Sequence, residues 1–337
     1  MITRGRLPVI PEPALASELV ERVLARLGLH QRPAPDLAGL NVLYAAFCGN
    51  VPFDNVQKRI WFASDQTAPL PGGNPTEFFE NWLAHGTGGT CWPINGSLYA
   101  LACALGFNAR RIAGSVIVDG YPQGANHGSV LVSVDGVDYL TDAWMSSFKV
   151  LPLKPGTPAS TGEGIHDIRA VPIENGFELL CYAGWNREQP LPFRPEPEHD
   201  QVDHAFWLAR YDRTKKVGFF NDTLLISRHF PGSILTIGCT NKIRVAPRAL
   251  SPKPSSPKPS AKLCLSRSSA FLRQSSKSFR PMCREASHHF NVTCTSQDLA
   301  GLETLRLGLL QVRVSWQPKL RDSQQHVPAW LLGLSPG

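Results

Sequence analysis

The run His85-Gly-Thr-Gly-Gly-Thr-Cys91-Trp-Pro-Ile-Asn95 sets a cysteine where a glycine-rich turn gives way to an apolar segment, Gly96 to Leu105, patterned as a buried helix. At a helix start, unpaired backbone N–H groups and the positive end of the helix dipole favour a thiolate over a thiol. Gly88 and Gly89 would permit unusual dihedrals and leave room for a substrate beside the sulfur. Taken alone, such a cysteine is most simply a small buried apolar residue. Its company changes that reading. His127 opens Gly128-Ser-Val-Leu-Val-Ser-Val134, which alternates like a half-buried strand. Asp135-Gly136 is a two-residue hairpin signal, and Val137-Asp-Tyr-Leu-Thr141 returns to Asp142. A hairpin of this kind sets the start of one strand beside the end of the other, so His127 and Asp142 are predicted neighbours. Cys91, His127 and Asp142 then supply a nucleophile, a base to take its proton and an anion to orient the base: a complete thiol triad.

The elements that position these groups can be followed along the chain. Leu15, Leu19, Val20, Val23, Leu24 and Leu27 form a helical stripe after Pro11 and Pro13. Asp36 can cap a second helix through Leu37, Leu40, Leu43, Tyr44 and Phe47, ending near Gly49. Val51 to Asn55 turns the chain, and Phe53 reads most simply as core. Asn74-Pro75 is a cap and first-turn pair for a helix through Phe78, Phe79 and Trp82 that ends at His85-Gly86, with His85 favoured by the helix dipole. Strand patterns follow at Ala109 to Val118, Lys149 to Leu153, Ile168 to Ile173 and Phe177 to Trp185. With the His127 hairpin they predict a small antiparallel barrel or strongly curled sheet. Leu151 to Gly164 reads as a surface loop, and Glu188 to Pro197, with four prolines, as an extended connector. Val202 to Tyr211 reads as a short helix, with Phe219 to Ile226 and Ser233 to Ile237 as closing strands.

Around the three chemical residues the chain resembles the arylamine N-acetyltransferase family. That family carries Arg-Gly-Gly-x-Cys, an asparagine four residues on, then Leu-Tyr-x-x-Leu and Gly-Phe. Here the same places hold Thr87-Gly88-Gly89-Thr90-Cys91, Asn95, Leu98-Tyr99-Ala-Leu101 and Gly106-Phe107. The family's histidine strand and Asp-Gly hairpin match His127 through Asp142, Val51-Pro52-Phe53-Asp54-Asn55 is similar to its Ile-Pro-Phe-Glu-Asn, and Phe219 to Arg228 to its later strand. The likeness covers roughly residues 14 to 246 and departs twice. The family's arginine is Thr87, and its Asp-Val-Gly-Phe-Gly loop is Asp142-Ala-Trp144-Met145-Ser146.

The resemblance implies an α+β fold with a papain-like catalytic core: an N-terminal helical bundle, a central antiparallel β-barrel and a small α/β lid. The corresponding domains are 1–108 with the nucleophile, 109–200 with His127 and Asp142, 201–246 as lid, and 247–337 as a basic tail. It implies Cys91, His127 and Asp142 as catalytic residues, and Phe53, Gly89, Thr90, Trp144 and Met145 as contacts for substrate or acetyl-CoA. The reaction would be ping-pong transfer of an acetyl or other acyl group from acyl-CoA to an arylamine, hydrazine or related amine. Alternatives are an amide synthase, a papain- or transglutaminase-like cysteine hydrolase, and a catalytically idle binding protein of the same fold.

Composition narrows the partners. The net charge is +7, but from Pro247 onward the chain has 13 Lys/Arg against 4 Asp/Glu, leaving 21 basic and 23 acidic residues before it. The part carrying the chemistry is close to neutral, so neither nucleic acid nor a membrane is expected as a partner; small molecules are. The eight cysteines, at 48, 91, 103, 181, 239, 264, 283 and 294, form no C-x-x-C pair, and no metal site is expected. No secretory signal or spanning apolar run is evident, and a cytoplasmic, reducing setting suits a working thiolate. Ser251-Pro-Lys-Pro-Ser-Ser-Pro-Lys-Pro-Ser260 is a low-complexity run. For the tail three readings stand side by side: a disordered basic arm, a small appended module, or an altered reading frame. Oligomeric state is not legible in the sequence.

Overall fold

A computed structural model describes residues 14–118, 124–162, 164, 166–183, 186–218, 220–230, 232–238 and 241–245, with backbone alone at 186–188 and 241–245. The expected tail at 247–337, Pro11, Pro13, Trp185 and Phe219 lie outside them. The helices come first. α1 (Ser17–Leu27) buries Leu19, Val20, Val23, Leu24 and Leu27 and stops at Gly28, whose φ of 78° is the left-handed position that favours glycine. α2 (Leu37–Asn50) starts at Asp36, whose side chain accepts the Gly39 N–H at 2.8 Å. A two-residue strand β1 (Phe53–Asp54) leads into α3 (Val56–Phe62), a helix for which the sequence reading gave no signal. α4 (Pro75–His85) is capped by Asn74 and ends at Gly86, as expected. α5 (Cys91–Ala104) buries ten of its fourteen residues, so its apolar pattern extends well beyond one stripe.

Eight antiparallel strands follow the helices: β2 (Asn108–Val116), β3 (His127–Val134), β4 (Val137–Leu140), β5 (Leu151–Leu153), β6 (Ala159–Ser160), β7 (Asp167–Ile173), β8 (Gly176–Ala183) and β9 (Asn186–Pro195). They are ordered β5-β4-β3-β2-β9-β8-β7-β6. The edge strands β5 and β6 return beside each other, so the sheet curls into a nearly closed barrel. Ile112, Leu131, Leu140, Leu151, Ile168, Leu179, Cys181 and Phe193 fill its interior. The β3–β4 turn has the expected form, with φ of 50° at Asp135 and 75° at Gly136.

Three local readings are corrected. The proline-rich connector is the strand β9, which pairs with both β2 and β8 and completes the barrel. Proline lacks a donor but keeps its acceptor: the Ile117 N–H donates to the Pro192 carbonyl at 2.9 Å. β5 falls within the strand expected at Lys149 to Leu153, but the rest of the stretch read as a loop, Leu151 to Gly164, contains a further strand, β6. The strand expected at Phe219 to Ile226 begins only at Leu225. Asn55 explains this, because its Nδ2 donates to the carbonyls of Phe220 at 2.7 Å and Thr223 at 2.8 Å, holding that backbone in a turn.

After the barrel come α6 (His204–Arg213) and the strands β10 (Leu225–Phe230), β11 (Ser233–Gly238) and β12 (Asn241–Val245). These strands extend β1 into a second sheet, ordered β1-β10-β11-β12. Trp207 of α6 reaches between α5 and β3: its Nε1 donates to the Trp92 carbonyl at 3.0 Å and its ring meets the Trp92 ring edge-on at 4.7 Å. Space for the two rings exists because residue 128 lacks a side chain. A Cβ on Gly128 would lie 2.5 Å from Trp207 and 2.6 Å from Trp92. Gly128→Ala should therefore cost about 1–3 kcal/mol of stability, the usual penalty of overpacking. Urea unfolding of the two proteins checks this, and equal midpoints would mean that the tryptophans shift freely.

Candidate active site

The site begins at the turn before α5. Thr90 is its extended N-cap and makes no side-chain capping bond, and Cys91 is the first helical residue, partly exposed. Gly88 and Gly89 have ordinary negative-φ backbone and serve a different purpose from the one expected. A Cβ on Gly88 would fall 1.8 Å from the Pro52 carbonyl oxygen, and one on Gly89 2.8 Å from Pro93 and 3.0 Å from Phe78. The glycines let the turn press against its surroundings; the space beside them is filled by protein. Asp54 fixes the turn from below. Its Oδ2 accepts the Gly88 N–H at 2.6 Å, its Oδ1 accepts the Val56 N–H at 2.9 Å, and its own N–H donates to the Gly89 carbonyl at 3.2 Å. Burial pushes the Asp54 carboxyl up to about 6, against the pull of those two N–H groups. Phe53 is buried, bridges to Gly89 through its backbone, and meets the Phe220 ring at 5.3 Å.

His127, first residue of β3, and Asp142, just beyond β4, meet as the hairpin geometry predicts: Nε2 lies 2.6 Å from Oδ2. Both are buried, at 3% and 1% exposure. Burial pulls the imidazolium down, but the charge and hydrogen bond of Asp142, joined by a hydrogen bond and charge from Cys91, raise it to about 10 overall. Since Nε2 faces Asp142, Nδ1 is the nitrogen left for the sulfur. Burial likewise works against the Asp142 carboxylate, yet His127, Ser129 and Asn95 hold it below its ordinary range. The three residues that the sequence singled out for chemistry are therefore brought together.

One member of the network was quoted in the sequence without a role. Asn95, one helical turn after Cys91 and fully buried, donates through Nδ2 to Asp142 Oδ1 at 3.1 Å and to the Gly128 carbonyl at 2.8 Å. Its Oδ1 accepts the Ala143 N–H at 2.8 Å. The i, i+4 spacing from Cys91 puts both on one helix face, and this was the available signal.

The expected contact residues fall in different places. Trp144 packs its ring against His127, with centroids 4.9 Å apart, and Phe193 meets the same imidazole at 4.9 Å. The backbone N–H of Trp144 donates to Asp142 Oδ1 at 2.9 Å, and that of Met145 at 3.3 Å. The Met145 side chain is 1% exposed and belongs to the barrel interior. Thr87 is buried and its Oγ1 accepts from Gln57 Nε2 at 3.0 Å. His85 stands exposed at the end of α4. A lysine unforeseen in the sequence, Lys58 on α3, is buried and donates through Nζ to Thr214 Oγ1 at 2.8 Å. Burial pushes its ammonium down to about 8, with the charge of Cys91 acting in the opposite sense. Away from these groups, Glu196, Glu198 and His199 form a cluster of metal-ligand type. There Glu196 accepts from Ser115 Oγ, the Ala125 N–H and His199 Nδ1.

A family model described as N-acetyltransferase matches residues 36–238, more than half of the chain. The chain belongs to the N-acetyltransferase family. An arylamine N-acetyltransferase of Mycolicibacterium smegmatis is 33% identical over 125 residues, 35% of this chain and 43% of that protein. Proansamycin X synthase of Amycolatopsis mediterranei (strain S699) is 26% identical over 163 residues, 48% of this chain and 61% of that protein. The chain thus spans about half the length of these curated relatives. The solved arylamine N-acetyltransferase from Mycobacterium abscessus shares the fold, with a TM-score of 0.56 and 18% identity over 68% of this chain and 81% of that one. Within this N-acetyltransferase family chain, Ser146 takes a φ of 43° at a place where the family loop quoted above has glycine. That φ lies in the left-handed region that favours glycine.

Two outcomes follow for the site. Asn95→Ala strands Ala143 N–H and the Gly128 carbonyl, and should cost about 1–3 kcal/mol. It should also slow alkylation of Cys91 by iodoacetamide; an unchanged melting point and alkylation rate would show the network to be idle. For Asp54 the folded value lies above the unfolded one, so its stabilising contribution is complete below pH of about 4 and is lost as pH rises through about 6. The stability of the wild type minus that of Asp54→Asn should therefore fall between about pH 4 and pH 7, by up to roughly 3 kcal/mol. A flat difference across that range would refute the shift.

Proposed function

We propose that this chain is an N-acyltransferase that carries an acetyl group on Cys91 from acetyl-CoA to the nitrogen of an arylamine, hydrazine or related amine. The observation that supports it best is the buried His127–Asp142 pair, with Nε2 2.6 Å from Oδ2, together with Cys91 at the start of α5, whose charge acts on the same imidazole. In this reading His127 Nδ1 takes the Cys91 proton, and Asp142 stabilises the imidazolium that results. The sulfur attacks the thioester carbonyl and forms a C–S bond. The tetrahedral oxyanion collapses, the coenzyme's sulfur leaves, and His127 Nδ1 gives it a proton. The now neutral Nδ1 takes a proton from the attacking amine, the second tetrahedral adduct expels Cys91 as thiolate, and the amide departs. Asp142 keeps the proton on Nε2 throughout, so that Nδ1 is the nitrogen that gives and takes. The backbone N–H groups of Cys91 and Trp92 are free for the oxyanion, since the first turn of a helix leaves its donors unpaired.

A second reading is amide synthesis on a larger acyl chain, one of the relatives being named a synthase. The altered loop at Trp144 and the arginine replaced by Thr87 also favour it. No helix among the described residues is long and apolar enough to cross a membrane. We place the protein in a reducing cytoplasm, where a working thiolate survives, with small molecules as its partners.

Intact-mass measurement after incubation with acetyl-CoA or longer acyl-CoAs tests both readings. One acyl group should appear on Cys91 and be removed by added arylamine. Cys91→Ala should take up none, and Asp142→Asn should lose on the order of 10³-fold or more in rate while keeping its fold. Preference for long acyl groups would select the synthase reading. No adduct with any donor would overturn both.

A further inference from the structure

Among the described residues Lys58 is the one buried lysine, at 4% exposure. It is the third residue of α3, and the start of that helix is tied twice to the turn before Cys91. The two oxygens of Asp54 accept from the Val56 and Gly88 N–H groups, and Gln57 Nε2 donates to Thr87 Oγ1. Trp61, one helical turn after Lys58, and Tyr211, near the end of α6, belong to the apolar cluster against which Cys91 packs. The charge of Cys91 acts on both Lys58 and Tyr211. The end of α6 also holds the lysine: Nζ donates to Thr214 Oγ1 at 2.8 Å and to the Thr214 carbonyl at 3.2 Å. The start of α3, the end of α6 and the first turn of α5 thus share one wall, with the thiol and the amine both in it.

A buried ammonium is costly and is normally offset by a carboxylate. Among the described residues no carboxylate pairs with Lys58, and desolvation pushes its ammonium down to about 8. A neutral primary amine has two N–H groups and a lone pair. Thr214 offers an acceptor for each N–H, which leaves the lone pair unused. A desolvated lysine in that state is a nucleophile.

We propose that Lys58 is a second acyl acceptor of this site, taking the acyl group from Cys91 by S-to-N transfer. This rests on the reading of Cys91 as the acyl carrier. Nζ attacks the thioester carbonyl, a C–N bond forms and the C–S bond breaks. The proton shed by the nitrogen passes through His127 Nδ1 to the sulfur, so a thioester and an amine become an amide and a thiol. Nothing is consumed beyond the acyl-CoA that charged Cys91. Burial keeps Lys58 away from acyl donors in bulk solution, so the neighbouring sulfur is its source, and a rotation of the lysine side chain replaces a collision. An acylated sulfur carries no charge, which removes the influence of Cys91 that favours the ammonium. The amide product has no charge to desolvate and suits the buried position better than the ammonium did. The regenerated thiol can be charged again, so a chain given a donor but no amine ends with two acyl groups.

The test is prolonged incubation of the full chain with acetyl-CoA and no amine, at pH 8, followed by peptide mass mapping with and without hydroxylamine, which cleaves thioesters and spares amides. In wild type, acetyl should appear first on Cys91 and later, resistant to hydroxylamine, on Lys58. Occupancy at Lys58 should exceed that at the exposed Lys154 and Lys216 by about tenfold or more. Cys91→Ala should label Lys58 no more than those two, and Lys58→Met should hold its acetyl on Cys91 alone. An acetyl-Cys91 that forms and never passes to Lys58 overturns the proposal and leaves the carrier reading standing. Equal labelling of Lys58 in wild type and Cys91→Ala would show direct acylation by the coenzyme and overturns it too. No acetyl on either residue removes the carrier reading itself, and this proposal with it. The wild-type and Cys91→Ala arms decide the matter even if Lys58→Met does not fold.

Discussion

A carboxylate at 1% exposure has to be neutralised and hydrogen-bonded where it lies, because an unmatched buried ion costs several kcal/mol. Asp142 meets that demand with groups drawn from every layer of the protein. β3 brings His127, α5 brings Asn95, and the following loop folds back the N–H groups of Trp144 and Met145. From α2, Tyr44 donates its hydroxyl to the Asp142 carbonyl at 2.7 Å, tying down the backbone of the same residue. The helical layer and the barrel are thus joined at one anion. Satisfying it fixes the distance between the start of α5 and the start of β3, which is the distance a sulfur and an imidazole must keep.

The same spacing is reinforced on the other side of α5 by bulk. Trp207 and Trp92 occupy the gap between α5, α6 and β3, and glycines at 96 and 128 make room for them; a Cβ at Gly96 would lie 2.8 Å from the Trp207 indole nitrogen. Two constraints of different kind therefore act on one helix. The polar network sets where its first turn points, and the tryptophan pair limits how far it can slide along the barrel. Removing either leaves the other in place, which makes their effects on geometry separable in principle.

What the sequence made legible was local. The Asp135-Gly136 turn, the caps at Asp36 and Asn74, and the helix end at Gly86 are contained in a few neighbouring residues, and each takes the expected form. The hairpin extends this to a long-range consequence, the meeting of His127 and Asp142, because strand pairing converts spacing into position. Elements whose definition depends on distant partners were misread. β9 has the composition of a connector and becomes a strand because β2 and β8 flank it. The late start of β10 is imposed by Asn55, about 170 residues earlier in the chain. Asn95, Trp144 and Met145 were visible as residue types, but which of them faces the carboxylate, the imidazole or the barrel interior is decided by packing that no periodicity encodes.

The short strand β1 has a consequence for the order in which the molecule can be assembled. Phe53 is bridged on one side to Gly89, in the turn before Cys91, and paired on the other with Ser227 of β10. A chain emerging from the ribosome displays Cys91 and then, some tens of residues later, His127 and Asp142. β10, which pairs with the far edge of β1, follows the whole barrel in the chain. Until then one edge of β1 lacks its partner. A fragment that ends before β10 therefore holds Cys91, His127 and Asp142 but lacks the strand that pairs with β1.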